Sequence, residues 1–430
     1  MKKSLGYFSS FSFLLFLSLN IFAQSPSVTL SPQGNQSLKG ISSDRLSKID
    51  QMLDKTISEN QVPGLVALIV KDGKIVYHEA KGFADVPSET KMAKDQIFRI
   101  ASQSKAITST AVMMLWEEGK FQLNDPISKY IPEFANPKVL TAYRYNDTTY
   151  SFRPASREIT VRDLLTHTSG IGYGVIDGDE RMKMIYNKAG IVDLFTTEPV
   201  KISDNIKKLA ELPLHHDPGT KFTYSEGLDV LGYFIEVVSG MPFDQFLKTR
   251  IFDPIGMKNT GFYLNESQGK KLVTIHRKVN DKWESFPVTF YDPDYPKTGA
   301  KTFFSGGAGL SSTAEDYAKF LQMYLNGGAY NGKRFLSPVT IQAIMSNQVG
   351  DLLGDGGKDY GLAFGLVDEK GVAQGGIGSL GTFDWGGYFN TQYFADPVTN
   401  TIGILMKQTQ GGTGDESAWK FRQMVFSAIE

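Results

Sequence analysis

Four serines in this 430-residue chain are followed three residues later by a lysine: Ser88/Lys91, Ser102/Lys105, Ser267/Lys270 and Ser417/Lys420. A serine hydroxyl is a weak nucleophile near neutral pH and becomes reactive when an adjacent group takes its proton. A lysine one helical turn further on lies on the same face, within reach of that hydroxyl. Spacing does not choose among the four, because Ser-x-x-Lys is also what an ordinary helix start looks like. Context chooses. Ser88 and Ser267 stand in polar stretches, and Ser417 lies close to the C-terminus. Only Ser102 opens a long apolar period, with Ile107, Ala111, Met114 and Leu115 at helical steps and Gly119 at the end. That pattern predicts a helix with one buried face and Ser102 at or just before its N-terminus, where the helix dipole favours a developing anion.

A second candidate lies in Asp217-Pro218-Gly219-Thr220-Lys221-Phe222-Thr223-Tyr224-Ser225, a turn and short extended piece leading into a predicted helix over Leu228–Gly240. Tyr224 in such a loop can act as a general base if a cation holds its pKa down, and it can equally be a packed tyrosine. The five histidines suggest less. No Gly-x-Ser-x-Gly elbow accompanies them, so a Ser-His-Asp triad has no frame. His215 and His216 are adjacent and so do not share a face, and no carboxylate stands at a ligand spacing beside them. His167, in Thr166-His167-Thr168-Ser169-Gly170, reads as a residue that fixes its turn by hydrogen bonds. The chemistry calls for no metal and no cofactor.

The elements that must position these groups are legible in outline. A helix is predicted over Leu46–Ile57 and a strand over Gly64–Val70. Asp72-Gly73 is a tight turn, and a returning strand begins at Ile75-Val76-Tyr77. From about 120 to 300 the chain carries mainly helix signals and loops, including Val161–Leu165 and Leu228–Ser239. Strand signals return at Gln392–Ala395 and Thr401–Met406, followed by a final helix from about 416. Strands from both ends and helices in the middle predict a sheet lobe from about 42–102 and 300–430 and a helical lobe from about 103–299, with a ligand cleft between them.

Composition bounds the partners and the address. The chain is 41% hydrophobic and 21% charged, with formal net charge −1 and no cysteine. This is an ordinary globular composition, and the absence of a basic cluster excludes nucleic acid as a natural partner. Residues 1–23 read as an export signal: Lys2 and Lys3 form the positive start, Phe11 to Phe22 is mostly apolar, and Ala23 is small. The apolar run is too short and too interrupted to make a stable membrane span. Residues 24–41 read as a flexible polar leader, leaving 42–430 as the folded unit. Export without cysteine suits a bacterial periplasm or exterior and excludes disulfides and thiol catalysis.

Taken together, several linked stretches resemble the serine β-lactamase-type hydrolases, a superfamily that includes class C β-lactamases, DD-peptidases and the family VIII carboxylesterases. The stretches are Phe98–Lys105, Leu164-Leu165-Thr166-His167-Thr168-Ser169-Gly170, Pro218 to Gly240, Ile251-Phe252-Asp253-Pro254-Ile255-Gly256-Met257 and Gly307–Leu325. The resemblance runs from about 42 to 430. It implies an α+β fold, an antiparallel sheet flanked by helices plus a mainly helical lobe.

It also implies that three motifs meet in the cleft. Ser102 and Lys105 supply the Ser-x-x-Lys. Tyr224-Ser225-Glu226 stands at the Tyr-x-Asn, and the literal Tyr-x-Asn triplets at Tyr263, Tyr324 and Tyr388 lie in the wrong surroundings. The third motif, Lys-Thr-Gly on a strand in the lactamases, is matched by Trp385-Gly386-Gly387. The literal Lys297-Thr298-Gly299 follows a loop and is set aside. By the same resemblance the backbone N–H groups of Ser102 and Tyr388 form an oxyanion hole.

The resemblance then implies an acyl-serine mechanism on a small-molecule ester or β-lactam-like substrate. Trp385 in place of a cation favours neutral esters, as in the family VIII esterases, over β-lactams and peptides. A β-lactamase or D-amino-acid peptidase is the enzyme alternative. Glu226 in place of Asn admits two outcomes: a carboxylate paired with Lys105, or a side chain turned to solvent. If it weakens catalysis, the chain is a binding protein that keeps the fold. Phe303, Phe304, Tyr388 and Trp385 are candidates for an apolar acyl pocket.

Overall fold

The structure is a computed structural model and describes residues 28–32, 39–375, 378–411 and 414–430. The export-signal segment 1–23 lies outside the described residues. Among them, no helix is long and apolar enough to cross a membrane.

The strand Gly64–Lys71 explains the architecture. Its unbroken apolar run Leu65–Val70 is fully buried, which requires cover on both faces. Alternate side chains divide between two cores. Leu65, Ala67 and Ile69 face the helices Ser43–Ser58 and Ser417–Ala428. Val66, Leu68 and Val70 face the larger core around the helix Ser104–Glu117. The terminal helices pack on one side of the sheet and the helices of the larger core on the other.

Neighbouring strands follow from that seed. In spatial order the main sheet runs Ser31–Pro32, Lys74–Asp85, Gly64–Lys71, Thr401–Met406, Thr391–Asp396, Phe383–Gly387, Gly365–Val367 and Lys358–Tyr360, with Thr90–Lys91 added beside Lys74–Asp85. All these pairings are antiparallel except the first, and Leu68 lies opposite both Ile404 and His78. The anticipated α+β architecture is therefore the one observed, with sheet strands drawn from both ends of the chain.

Three expectations are corrected. The stretch 24–41 reads as a flexible leader, yet within it Ser31–Pro32 pair in parallel with Lys74-Ile75. The Leu30 amide donates to Tyr330 Oη, and the Asn326 side chain donates to the Val28 carbonyl. Extended backbone beside an open sheet edge gains hydrogen bonds there that polar composition does not signal. Second, the 120–300 region holds two hairpins, Lys138–Tyr143 with Tyr150–Pro154 and His276–Val279 with Lys282–Ser285. Their strands are short and only partly buried, so they carry little alternation. Third, the helix Ser104–Glu117 does not have one buried face: every residue from Ser104 to Leu115 is buried. Its polar residues are satisfied locally, Thr108 donating to the Gly306 carbonyl at 2.7 Å and Thr110 bonding Tyr324 Oη at 2.6 Å. Apolar periodicity is muted in a helix enclosed on all sides.

Candidate active site

Ser102 sits in a single 3₁₀ turn, Ala101–Gln103, that runs straight into the buried helix. Ala101 adopts φ +44°, a left-handed conformation that a residue with a Cβ occupies only when its surroundings enforce it. The strained turn leaves Ser102 half-exposed while both neighbours are buried. Its amide lies in the first turn, where helical N–H groups lack intrahelical partners.

Lys105, one turn on, is almost fully buried. Its Nζ lies 3.3 Å from Ser102 Oγ, 3.0 Å from Tyr173 Oη and 2.8 Å from the Gly307 carbonyl. Tyr224 stands over it, with Nζ 4.6 Å from the ring centroid. The Trp385 indole N–H points at Tyr224 Oη from 3.4 Å, and Tyr173 stacks on Tyr224 at 5.6 Å between centroids. Ser102, Lys105, Tyr224 and Trp385 are thus brought together from three separate segments.

Supporting contacts hold each part. Asp229, on the helix Gly227–Ser239, accepts from Ser305 Oγ at 2.7 Å and from the Gly307 amide at 2.8 Å, so it aims the carbonyl that Lys105 meets. Burial raises the Asp229 pKa, against those two donors and Lys105. His167 is fully buried, and burial, reinforced by Lys105, pulls its pKa well down, so it is neutral. Its Nδ1 receives the Ser225 amide at 3.2 Å and its carbonyl receives the Thr223 amide at 2.7 Å, which ties down the strand-like piece carrying Tyr224. His215 bonds Asp177 and His216 bonds the Asp217 carbonyl, both as local braces.

Trp385-Gly386-Gly387 ends the strand Phe383–Gly387, which pairs with Thr391–Asp396. This strand end presses on the nucleophile turn: a Cβ on Gly387 would stand 2.5 Å from the Ile100 carbonyl oxygen. Only glycine lets the strand end come so near the backbone that leads into Ser102. Lys297-Thr298-Gly299, by contrast, belongs to a short helix, Tyr295–Thr298, where Lys297 pairs with Asp294.

Glu226 meets neither expectation. It is fully buried, so it does not point to solvent and does not line the cleft as a substrate contact. It does not pair with Lys105 either; it accepts from the Gly174 amide at 3.3 Å, beside Asp193 on the next amide, Val175. The reason is local: Glu226 stands at the N-cap position of the helix Gly227–Ser239 without capping it, its amide donates to the Gly172 carbonyl, and its side chain is taken up by the Gly174 amide. The acyl-pocket candidates also divide. Phe303 is buried in the main core and Phe304 packs on Phe262 and Tyr263, while the aromatics around the serine turn are Tyr173, Tyr224, Phe195, Tyr291, Tyr295 and Phe389. Sequence reasoning missed Tyr173, Asp193 and Asp229. Asp229 had a signal, a carboxylate inside an otherwise apolar helix. Tyr173 and Asp193 lie in irregular segments with none.

Residues 49–425 match the model of the beta-lactamase family. Protein Rv1367c of Mycobacterium tuberculosis is 32% identical over 360 residues, covering 80% of this chain and 85% of the relative. Esterase EstB of Burkholderia gladioli is 28% identical over 378 residues, covering 84% of this chain and 90% of that enzyme. Among solved structures, EstCE1, described as a hydrolase with promiscuous acyltransferase activity, superposes with a TM-score of 0.74 at 26% identity, over 89% of this chain and 99% of its own.

Proposed function

The chain belongs to the beta-lactamase family of serine hydrolases, and from that premise we propose that it is an exported esterase that cleaves neutral carboxylic esters through an acyl-serine. The observation that carries this reading is the Lys105 geometry: one serine oxygen, one phenol and one carbonyl around a buried amine. Lys105 Nζ donates to all three. Once it gives up a proton, two N–H donors remain for the Gly307 carbonyl and Tyr173 Oη, and the lone pair faces Ser102.

Ser102 Oγ attacks the ester carbonyl as its proton passes to the Lys105–Tyr224 pair. The carbonyl oxygen becomes an oxyanion held by the backbone N–H groups of Ser102 and Tyr388, each such donor being worth roughly 10²–10³ in rate. Tyr224 returns the proton to the departing alkoxide, and the C–O bond to the alcohol breaks. Water, or an acceptor alcohol, then attacks the acyl-serine with its proton passing by the same route back to Ser102.

Substrate preference follows from Trp385. An indole replaces the cation that would pair with a substrate carboxylate, and its N–H is directed to Tyr224. The esterase relative supports this choice. The test runs short-chain p-nitrophenyl esters beside nitrocefin on one preparation. Ester turnover well above nitrocefin turnover is expected, and the reverse ranking would return the chain to the lactamase or peptidase alternative. Export rests on residues 1–23; protein recovered from the periplasm should begin at Gln24, and an intact Met1 terminus there would remove the signal.

A further inference from the structure

Glu226 and Asp193 are buried acids that the mechanism above does not use, and they meet. Glu226 Oε1 accepts from the Gly174 amide at 3.3 Å, and Asp193 Oδ2 accepts from the Val175 amide at 2.6 Å. The remaining oxygens, Glu226 Oε2 and Asp193 Oδ1, are buried and have no hydrogen-bond partner among the described residues. They belong to two buried acids held side by side on consecutive amides of one turn, with no cation among the described residues hydrogen-bonded to either. Two carboxylates so placed repel in a medium that screens charge poorly, and one proton between their free oxygens relieves the repulsion.

The 172–175 turn is wrapped around this pair. A Cβ on Gly174 would collide with the Asp193 carboxylate, so glycine is required there for the close approach. The same turn carries Tyr173, whose amide is held by Asp177 at 2.7 Å and whose Oη meets Lys105. The Gly172 amide donates to Tyr186 Oη at 3.1 Å. One end of the turn therefore grips the carboxyl pair while the other touches the amine beside the nucleophile.

We propose that Glu226 and Asp193 share a single proton and act together as a positioning device, clamping the 172–175 turn so that Tyr173 stays on Lys105. The proposal rests on the esterase reading for its catalytic consequence, but the shared proton stands on its own geometry. The groups facing Glu226 are Asp193, Asp229 from the helix Gly227–Ser239, Tyr173 and Asp177 from the turn, and Tyr186 from the helix Glu180–Ala189. The surrounding cations are Lys105, on the nucleophile helix, and Lys183 and Lys188, which line a cavity of about 640 Å³ that also touches Asp193 and Gly174. His215 reaches the cluster only through Asp177. Burial first, then Asp193, raises the Glu226 pKa well above the ordinary carboxylate range, with Gly174 opposing.

The sign of the pH effect follows. A carboxyl whose folded pKa is raised contributes stability that is complete below its unfolded value, about 4.3 for glutamate, and is lost as pH rises through the folded value. Above that point two carboxylates face each other in the core, and the turn that carries Tyr173 is released.

The experiment compares wild type, Glu226→Gln and Glu226→Ala by melting temperature and by the rate of fluorophosphonate labelling of Ser102 across pH 5–10. Glutamine keeps a donor for Asp193 and an acceptor for Gly174 but cannot titrate. Wild type should lose melting temperature and labelling rate together at alkaline pH, and Glu226→Gln should flatten both declines. Glu226→Ala should label about 10- to 100-fold more slowly, the range expected when a catalytic group is displaced by about 1 Å, and Glu226→Gln should recover most of that loss. If Glu226→Ala does not fold, Asp193→Asn, which also removes the titration while keeping the contact, takes its place and should flatten the same declines. Identical alkaline profiles in wild type and Glu226→Gln would overturn the shared proton. Wild-type labelling speed in folded Glu226→Ala would overturn the clamp. Absence of any label on wild-type Ser102 would defeat the esterase reading instead, and the melting profiles would still decide the carboxyl pair.

Discussion

Lys105 and Lys407 are both buried, and each donates to a serine oxygen: Lys105 to Ser102 at 3.3 Å and Lys407 to Ser417 at 3.0 Å. By distance alone the second pair is the better one. The third partners differ. Lys407 also meets Asp415 in an ion pair buried on both sides. Burial pulls the Lys407 pKa down and Asp415 works against that pull; burial pushes Asp415 up, yet Lys407 holds it below the ordinary range. Removing the Lys407 proton would strand a buried carboxylate, so that amine cannot serve as a base. Ser417 is moreover fully buried, at the start of the C-terminal helix. Among the described residues the hydrogen-bond partners of Lys105 are a phenol, a hydroxyl and a carbonyl, none of which claims its proton. Ser102 is half-exposed on a strained turn. A reactive serine here is defined by an amine free to lose a proton and a hydroxyl that a substrate can reach. Proximity between the two is common to both pairs.

The comparison can be broken in graded steps. Ser102→Ala should lower ester turnover by at least about 10³-fold, as loss of a nucleophile does in hydrolases, with an unchanged circular dichroism spectrum; retained turnover would move the nucleophile elsewhere. Gly387→Ala forces the strand end off Ile100 and displaces the Tyr388 amide, so kcat should fall by roughly 10²-fold, the worth of one oxyanion donor. Asp415→Asn leaves a buried ammonium without its partner and should destabilise the fold by about 3–5 kcal/mol in urea unfolding. Because Asp415 has a lowered folded pKa, its stabilisation is present above the unfolded aspartate value, about 3.9, and fades as pH falls through the folded value. The variant should lack that part of the acid decline. Ser417→Ala is the smallest step: turnover by the folded enzyme should stay within about twofold, since Ser417 neither meets the reacting atoms nor holds a group that does. A large loss of turnover there would erase the distinction between the two lysines.

Much of this frame was legible in the sequence. The helix Val161–Leu165 and the strand Thr401–Met406 fall where their residue patterns put them, because a capping threonine and a short, mostly apolar run are local signals. The Ser102 turn was legible from the apolar helix behind it, and the strand end Trp385-Gly386-Gly387 from its place before two further strands. The literal Lys297-Thr298-Gly299, read as following a loop, lies at a short helix instead, since Pro296 inside Tyr295–Thr298 starts a helical turn. Other features depend on tertiary neighbours and leave no pattern. The enclosed helix Ser104–Glu117 was read as one-sided because its polar residues look solvent-facing until their partners on 306 and 324 are known. Glu226 was read against Lys105 because both stand at motif positions. It is held instead by the Gly174 amide, beside Asp193, which lies 33 positions upstream in an irregular segment.

The most direct test is mass spectrometry of the intact protein after mixing with p-nitrophenyl butyrate, followed by peptide mapping of the trapped adduct. The account predicts one butyryl group per chain, carried on the peptide containing Ser102 and absent from Ser102→Ala. An adduct on the Ser417 peptide, or ester turnover with no serine adduct in wild type, would contradict it.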